Sequence, residues 1–256
     1  MAEMAPRQRF LENPVVRTAL SVWAWLVLGV VLIVWLPLVA IVRLVTGPFD
    51  KGHYAAGWLF RKLTVVHQVL NPLWRFRVDG ELPPDPRRPY VVVANHESFV
   101  DILLISHLPW EMKWLSKSEF FRIPVVGWLM QLAGDIPLVR DSTRSIVAAM
   151  KACEQRLHHR VSVMIFPEGT RSVSGELGEF KDGAFRLAVD TQSPIVPLAV
   201  HGTRTALRKH DWRFGVTDAT VHVLAPIETA GMTRKDIPAL RDQTRAAIAA
   251  KLAESR

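Results

Sequence analysis

Apolar and polar positions change their spacing about a quarter of the way along the chain. Residues 19–42 hold no charged side chain. As one helix these 24 residues reach about 36 Å, enough to cross a hydrocarbon core. Trp23, Trp25 and Trp35 lie within the run, as rings that favour an interface do, and Gly29 and Pro37 offer places to bend it. Arg7, Arg9 and Arg17 precede it and Arg43, Lys51, Arg61 and Lys62 follow, so basic residues choose no orientation. A re-entrant hairpin with both ends cytoplasmic fits that symmetry; a buried core helix is the plainer reading. Residues 52–70 repeat apolar positions at helical spacing (Ala55, Ala56, Leu59, Phe60, Leu63, Val66, Leu70), as in an amphipathic helix packed on a domain or held at a lipid surface by Trp58, Arg61 and Lys62.

From about Pro72 short apolar runs alternate with helical stretches. Strands are predicted at 75–78, 90–94, 112–115, 136–139, 162–166, 195–200 and 220–224. Helices are predicted at 99–106, 125–132, 143–158, 183–191 and 235–253. The run VSVMIF is apolar on both faces, as a central strand is. Thr233 and Asp236 make a capping box before the last helix. The pattern predicts an α/β fold: a mixed, largely buried sheet flanked by helices, with an N-terminal membrane-embedded helical segment. The division falls between a membrane-associated segment, 1–71, and an α/β domain, 72–256.

Composition narrows the partners. Of 256 residues, 49% are hydrophobic, and the formal net charge of +8 suits an anionic partner. Zinc-finger spacing and ribonucleoprotein signatures are absent from the sequence, so the apolar segment turns the charge toward an anionic membrane surface rather than nucleic acid. The single cysteine, Cys153, sits mid-helix with no motif around it and reads as packing. One cysteine forms no internal disulfide, which suits a reducing compartment.

Two polar turns carry the candidate chemistry. The first, NHESFVD (95–101), follows the strand YVVVA. On one continuous helix His96 and Asp101 would lie about 140° apart. With His96 in the turn and a helix starting near Ser98, Asp101 falls in the first helical turn and faces the imidazole. A carboxylate there holds one ring proton and raises the basicity of the other nitrogen. Asp101 also stands where the acidic partner of a Ser98 capping box would. The second turn, FPEGTRS (166–172), follows another buried strand, and its glycine-containing bend with Arg171 suits an anion. Metal chemistry finds no support: His-Glu-x-x-His is missing, and His158 and His159 have no partner spacing.

Together these segments resemble the glycerolipid acyltransferase family, best known for 1-acyl-glycerol-3-phosphate acyltransferases. NHESFVD matches its first block and FPEGTRS its third. GDIPLVR (134–140) resembles the second and PIVPL (194–198) the fourth, with Leu198 where valine is frequent. The segments around Lys117 and FKDG (180–183) agree too. Val139 departs, since many members carry an acidic or amide residue before the arginine. The resemblance implies acyl transfer from acyl-CoA or acyl carrier protein, as co-substrate and without a cofactor, to the hydroxyl of a membrane lipid acceptor. His96 would be the base, oriented by Asp101, with no acyl-enzyme. By the same resemblance Arg140, Arg171 and Lys117 would bind the acceptor phosphate, and Glu168, Gly169 and Thr170 would shape the turn and seat the glycerol. The implied location is the cytoplasmic membrane, with the catalytic domain on the cytoplasmic side. A different lysolipid acceptor, a non-enzymatic lipid-binding protein and a nucleic-acid binder are the alternatives; the pairing of His96 with Asp101 argues against the second, and only charge suggests the third.

Overall fold

The computed structural model describes residues 6–172, 175–207 and 211–255. A short helix, α1 (Pro6–Glu12), leads into α2 (Pro14–Thr46), which starts five residues before the uncharged run. Asn13 explains the early start: its side chain accepts from the N–H groups of Val15 and Val16, and Pro14 takes the first helical position. Pro37 lies inside α2 without ending it. At 33 residues, about 50 Å, α2 is long and apolar enough to cross a membrane. Val22, Leu26, Val30, Ile33, Leu38, Ile41 and Leu44 stand exposed along it.

Helix α3 (Tyr54–Val69) runs back antiparallel along α2. Trp35 Nε1 donates to the Leu59 carbonyl (2.8 Å) and Trp23 Nε1 to the Leu70 carbonyl (2.9 Å), which sets the direction. His67 Nε2 meets the Ala24 carbonyl at 3.1 Å. The body holds the first half of α2, and the far end is held within the hairpin. Arg17 bonds the Phe214 carbonyl and Asp211, Trp25 Nε1 bonds the Trp212 carbonyl, and Arg43 meets His53 Nε2 at 3.0 Å.

The body is a seven-stranded sheet in the order β1-β7-β6-β2-β5-β3-β4. Its strands are β1 (Trp74–Gly80), β2 (Val91–Ala94), β3 (Met112–Lys117), β4 (Ile136–Leu138), β5 (Ser162–Ile165), β6 (Ile195–His201) and β7 (Thr217–Val223). Strands β6, β2, β5, β3 and β4 are mutually parallel, and β7 turns antiparallel to β6. The crossovers are α4 (Val100–Ile105), α5 (Val126–Ala133), α6 (Thr143–His158) and α7 (Gly183–Thr191); α8 (Ile237–Glu254) closes the chain. Every predicted strand and helix is present, with ends moved by a few residues. The capping box of Thr233 and Asp236 opens a short 3₁₀ turn ahead of α8.

Alternate residues of the central strands face opposite layers. Val91, Val93, Val163 and Ile165 pack under α6, α7 and α8. Val92, Ala94 and Met164 pack against Leu104 and Ile105 of α4 on the other face. Cys153 is fully buried in the first layer, and burial pushes its thiol up to about 12. The helical hairpin lies beyond α4, where Ala24, Leu73, Trp74, Val100 and Phe214 share a cluster.

A buried ionic group ties α3 to the sheet. Lys113 Nζ donates to Glu111 (2.8 Å) and to the carbonyls of His53 (2.8 Å) and Ala133 (2.7 Å), so its three protons are all used. Arg61 pairs with Asp135, which also accepts from the Trp114 N–H at 3.0 Å. Glu111 and Lys113 are both 0% exposed. At Gly57 of α3 a Cβ would come within 2.0 Å of the Glu111 carboxylate, so only glycine allows this approach. Two cations and two carboxylates balance, and taking one away strands a charge. Glu111→Gln is expected to cost about 3–5 kcal/mol, seen as an earlier denaturant midpoint in detergent micelles; an unmoved midpoint would show that the cluster contributes nothing to stability.

Candidate active site

The parallel strands set their C-terminal ends along one edge, the usual place for ligands in such sheets. Past the end of β2, the Asn95 side chain donates to the Val200 carbonyl and accepts from the Val200 N–H, both at 2.8 Å. It prolongs the β2–β6 ladder by one side-chain rung and fixes where His96 leaves the sheet.

Helix α4 begins at Val100, so Asp101 lies in its first turn and faces back. Asp101 Oδ2 accepts from His96 Nδ1 (2.7 Å) and from the N–H groups of Glu97 (2.7 Å) and Ser98 (2.9 Å). Its other oxygen accepts from the Thr203 hydroxyl. Asp101 is 0% exposed, and these donors replace the water it lost. Only half of the expected Ser98 capping box forms: Asp101 accepts from the Ser98 N–H, but Phe99 is the N-cap and the Ser98 hydroxyl accepts from the Val100 N–H instead. An ionised carboxylate only accepts, so Nδ1 carries the ring proton and Nε2 presents a lone pair. The ring stacks on Phe166, with centroids 3.9 Å apart and planes 13° apart.

The two polar turns are stitched through the His96 peptide. Its N–H donates to Glu168 Oε1 (2.8 Å), and its carbonyl accepts from the Ser172 N–H (2.8 Å). Glu168 Oε2 accepts from the Gly178 N–H at 3.0 Å. With each oxygen taken by a backbone N–H, Glu168 acts as a bracket. Burial pushes its carboxyl up from the usual range, while the two N–H groups pull it back. Gly169 turns the chain at φ +73°, and Thr170 and Arg171 stand exposed beyond it. A cleft of about 540 Å³ opens here, lined by Glu168, Thr170, Arg171 and Lys181 among others.

Lys117 and Arg140 lie on the same edge but farther along. Lys117 ends β3 and Arg140 follows β4. At about 4.8 Å per strand, Arg171 lies one strand from His96, Lys117 two and Arg140 three. Lys117 is paired with Glu119 at 2.8 Å. The structure therefore joins His96, Asp101, Glu168 and the 169–171 turn directly, and places the other two cations at the rim.

Sequence reasoning missed Thr203 and Phe166 as parts of the site. Phe166 is the first letter of its block and shares the strand's apolar pattern, so nothing set it apart. Thr203 is 102 positions from Asp101, and no local pattern links them.

Known proteins resemble this chain in sequence and in fold. A family model described as Acyltransferase matches residues 75–201. A chloroplastic 1-acyl-sn-glycerol-3-phosphate acyltransferase of Brassica napus is 38% identical over 65% of this chain and 50% of its own. One from Chlamydomonas reinhardtii is 31% identical over 98% of this chain and 74% of its own. The alpha enzyme of Homo sapiens is 37% identical over 76% and 70%. The chain spans half or less of the length of the two plant relatives that head these matches, 50% and 42%. The crystal structure of the 1-acyl-sn-glycerophosphate acyltransferase PlsC from Thermotoga maritima shares the fold, with a TM-score of 0.76 and 23% identity over 94% of this chain and 96% of that one.

Thr203→Val is expected to leave a buried Asp101 oxygen without its donor and to cost about 1–3 kcal/mol, whereas Thr203→Ser keeps the bond. Denaturation of the three proteins side by side checks this; a valine variant as stable as wild type removes the hydrogen bond from the account.

Proposed function

The chain belongs to the acyltransferase family, and we propose that it moves a fatty acyl group from acyl-CoA or acyl carrier protein to the free hydroxyl of 1-acyl-glycerol-3-phosphate, giving phosphatidic acid. The observation that carries this reading is the His96–Asp101 pair, bonded at 2.7 Å, with Nε2 presenting its lone pair beside the arginine-bearing turn.

Nε2 takes the acceptor's hydroxyl proton as its oxygen attacks the thioester carbonyl. The imidazolium that forms is held by the buried Asp101 carboxylate. Collapse of the tetrahedral intermediate breaks the carbon–sulfur bond, and the proton passes to the departing thiolate. A thioester has a good leaving group, so the substrate hydroxyl takes the place of a serine nucleophile. The thioester donor is a co-substrate, and the proposed reaction needs no further cofactor and no metal. Arg171 is best placed for the acceptor phosphate, since its turn begins and ends on the His96 peptide. Gly169 and Thr170 shape that turn. Lys117 and Arg140, toward the rim, reach phosphate arriving from the β4 side.

Residues 1–71 serve as the membrane-associated part and 72–256 as the catalytic part. The apolar outer face of α2 enters the bilayer while its first half stays tied to the body, so the segment need not cross. The net charge of +8 favours an anionic surface. Water-soluble acyl donors place the catalytic part on the cytoplasmic side of the cytoplasmic membrane. Nucleic acid has no role in this reading.

A panel of lysolipids offered with both donor types tests the proposal; inert phosphorylated acceptors would overturn the substrate assignment. His96→Ala is expected to lower turnover by at least about 10²–10⁴-fold with the fold intact by circular dichroism. Arg171→Ala is expected to raise KM for the phosphorylated acceptor by roughly tenfold or more; unchanged kinetics would remove that contact.

A further inference from the structure

The edge of the sheet opposite His96 carries a second concentration of positive charge. Lys113 opens β3, Gly134 stands just before β4, and Arg156 lies near the end of α6 that leads into β5. His53 joins them from the turn between α2 and α3, in the left-handed region at φ 55°. Its carbonyl accepts from Lys113 Nζ at 2.8 Å, which fixes the backbone of the residue. The imidazole projects between two arginines. Arg43 Nη2, from the last turn of α2, meets His53 Nε2 at 3.0 Å. On the other side, His53 Nδ1 lies 2.6 Å, and Arg156 Nη2 3.1 Å, from the point a Cβ on Gly134 would occupy.

A guanidinium only donates, so Nε2 is the accepting nitrogen and Nδ1 carries the ring proton. His53 Nδ1 and Arg156 Nε are both buried, and among the described residues neither N–H finds an acceptor. Arg156 Nη1 donates to the Lys51 carbonyl at 3.3 Å. The carboxylates that face the group are engaged elsewhere. Asp50 accepts from the Ala55 N–H at 2.8 Å, and Asp135 pairs with Arg61. Burial first, then Arg156, Arg43 and Lys113, lower the His53 pKa to about 4, with Asp50 opposing them. The ring is therefore uncharged near neutrality, between two guanidiniums that form no ion pair among the described residues. Partly buried charge of one sign is costly unless an anion joins it.

We propose that Arg43, His53 and Arg156 form a binding site for a phosphate group, at the edge of the sheet away from the candidate active site. The guanidiniums supply the charge and planar forks that match phosphate oxygens. His53 Nδ1 and Arg156 Nε supply the two donors that the fold leaves without acceptors. Leu44, Val45 and Phe49, close in the chain to Arg43, are exposed. The phosphate can thus belong to a lipid headgroup whose chains lie along those side chains, or be free in solution; the chemistry at the three basic residues is the same. This site goes beyond the function proposed above and does not depend on it.

The test uses the full chain with isotopically labelled histidine in uncharged detergent micelles, followed by nuclear magnetic resonance. It is titrated with inorganic phosphate and with dihexanoyl-phosphatidylglycerol; sodium chloride at matched ionic strength and dihexanoylglycerol are the controls. The ring signals of His53 and His96 are identified by their loss in His53→Asn and His96→Asn. The His53 signal is expected to move saturably with a phosphate probe and to ignore both controls. A response to inorganic phosphate assigns the site to the free anion, and a response to the anionic lipid alone assigns it to a headgroup. Arg43→Gln and Arg156→Gln are each expected to raise the Kd on the order of tenfold with a wild-type circular dichroism spectrum. The proposal is overturned if neither probe moves the His53 signal, if a control moves it as far, or if only the His96 signal responds. An unchanged Kd in either arginine variant that keeps the wild-type spectrum overturns it as well.

Discussion

A carboxylate removed from water must find donors, and the architecture of this protein's site follows from how Asp101 finds them. Two come from the turn that leads into α4 and one from the imidazole in that turn. The last comes from Thr203, just beyond β6. These donors bring the ends of two adjacent strands to one point. They hold the carboxylate still against Nδ1, which fixes which imidazole nitrogen faces away from it. Loss of the Thr203 hydroxyl leaves Oδ1 without a donor in a layer that cannot replace it.

The parallel sheet makes this convergence available. Strands β2, β5 and β6 run the same way side by side, so their following turns meet at a single edge. Glu168 and Ser172 then fasten the second turn to the peptide of His96. The geometry of the candidate site is therefore a property of backbone positions, with the side chains of Asn95, Asp101 and Glu168 acting as the fasteners. Rigid scaffolding of this kind suits the proposed reaction, in which the protein supplies proton transfer and placement rather than a covalent intermediate.

The N-terminal hairpin is joined to that scaffold by charge as well as by apolar contact. Arg61 of α3 meets Asp135, while Lys113 reaches the carbonyl that starts α3. Such a group adds little net stability over an apolar equivalent, yet it permits one alignment and penalises others. The alignment holds the apolar face of α2 outward and the candidate site's edge in a constant relation to it, as the proposed function requires.

The order and kind of almost every element were legible in the sequence, because helix and strand periodicity record which faces are buried. The uncharged run, the two polar turns and the pairing of His96 with Asp101 could be read from local patterns alone. Distant partners could not. Thr203 touches Asp101 from 102 positions away, Lys181 lies over Gly169, and Lys113 gathers carbonyls from His53 and Ala133. Local periodicity is set by burial along the chain, whereas the partner of a charge is set by which strands become neighbours, and that is decided only when the sheet closes.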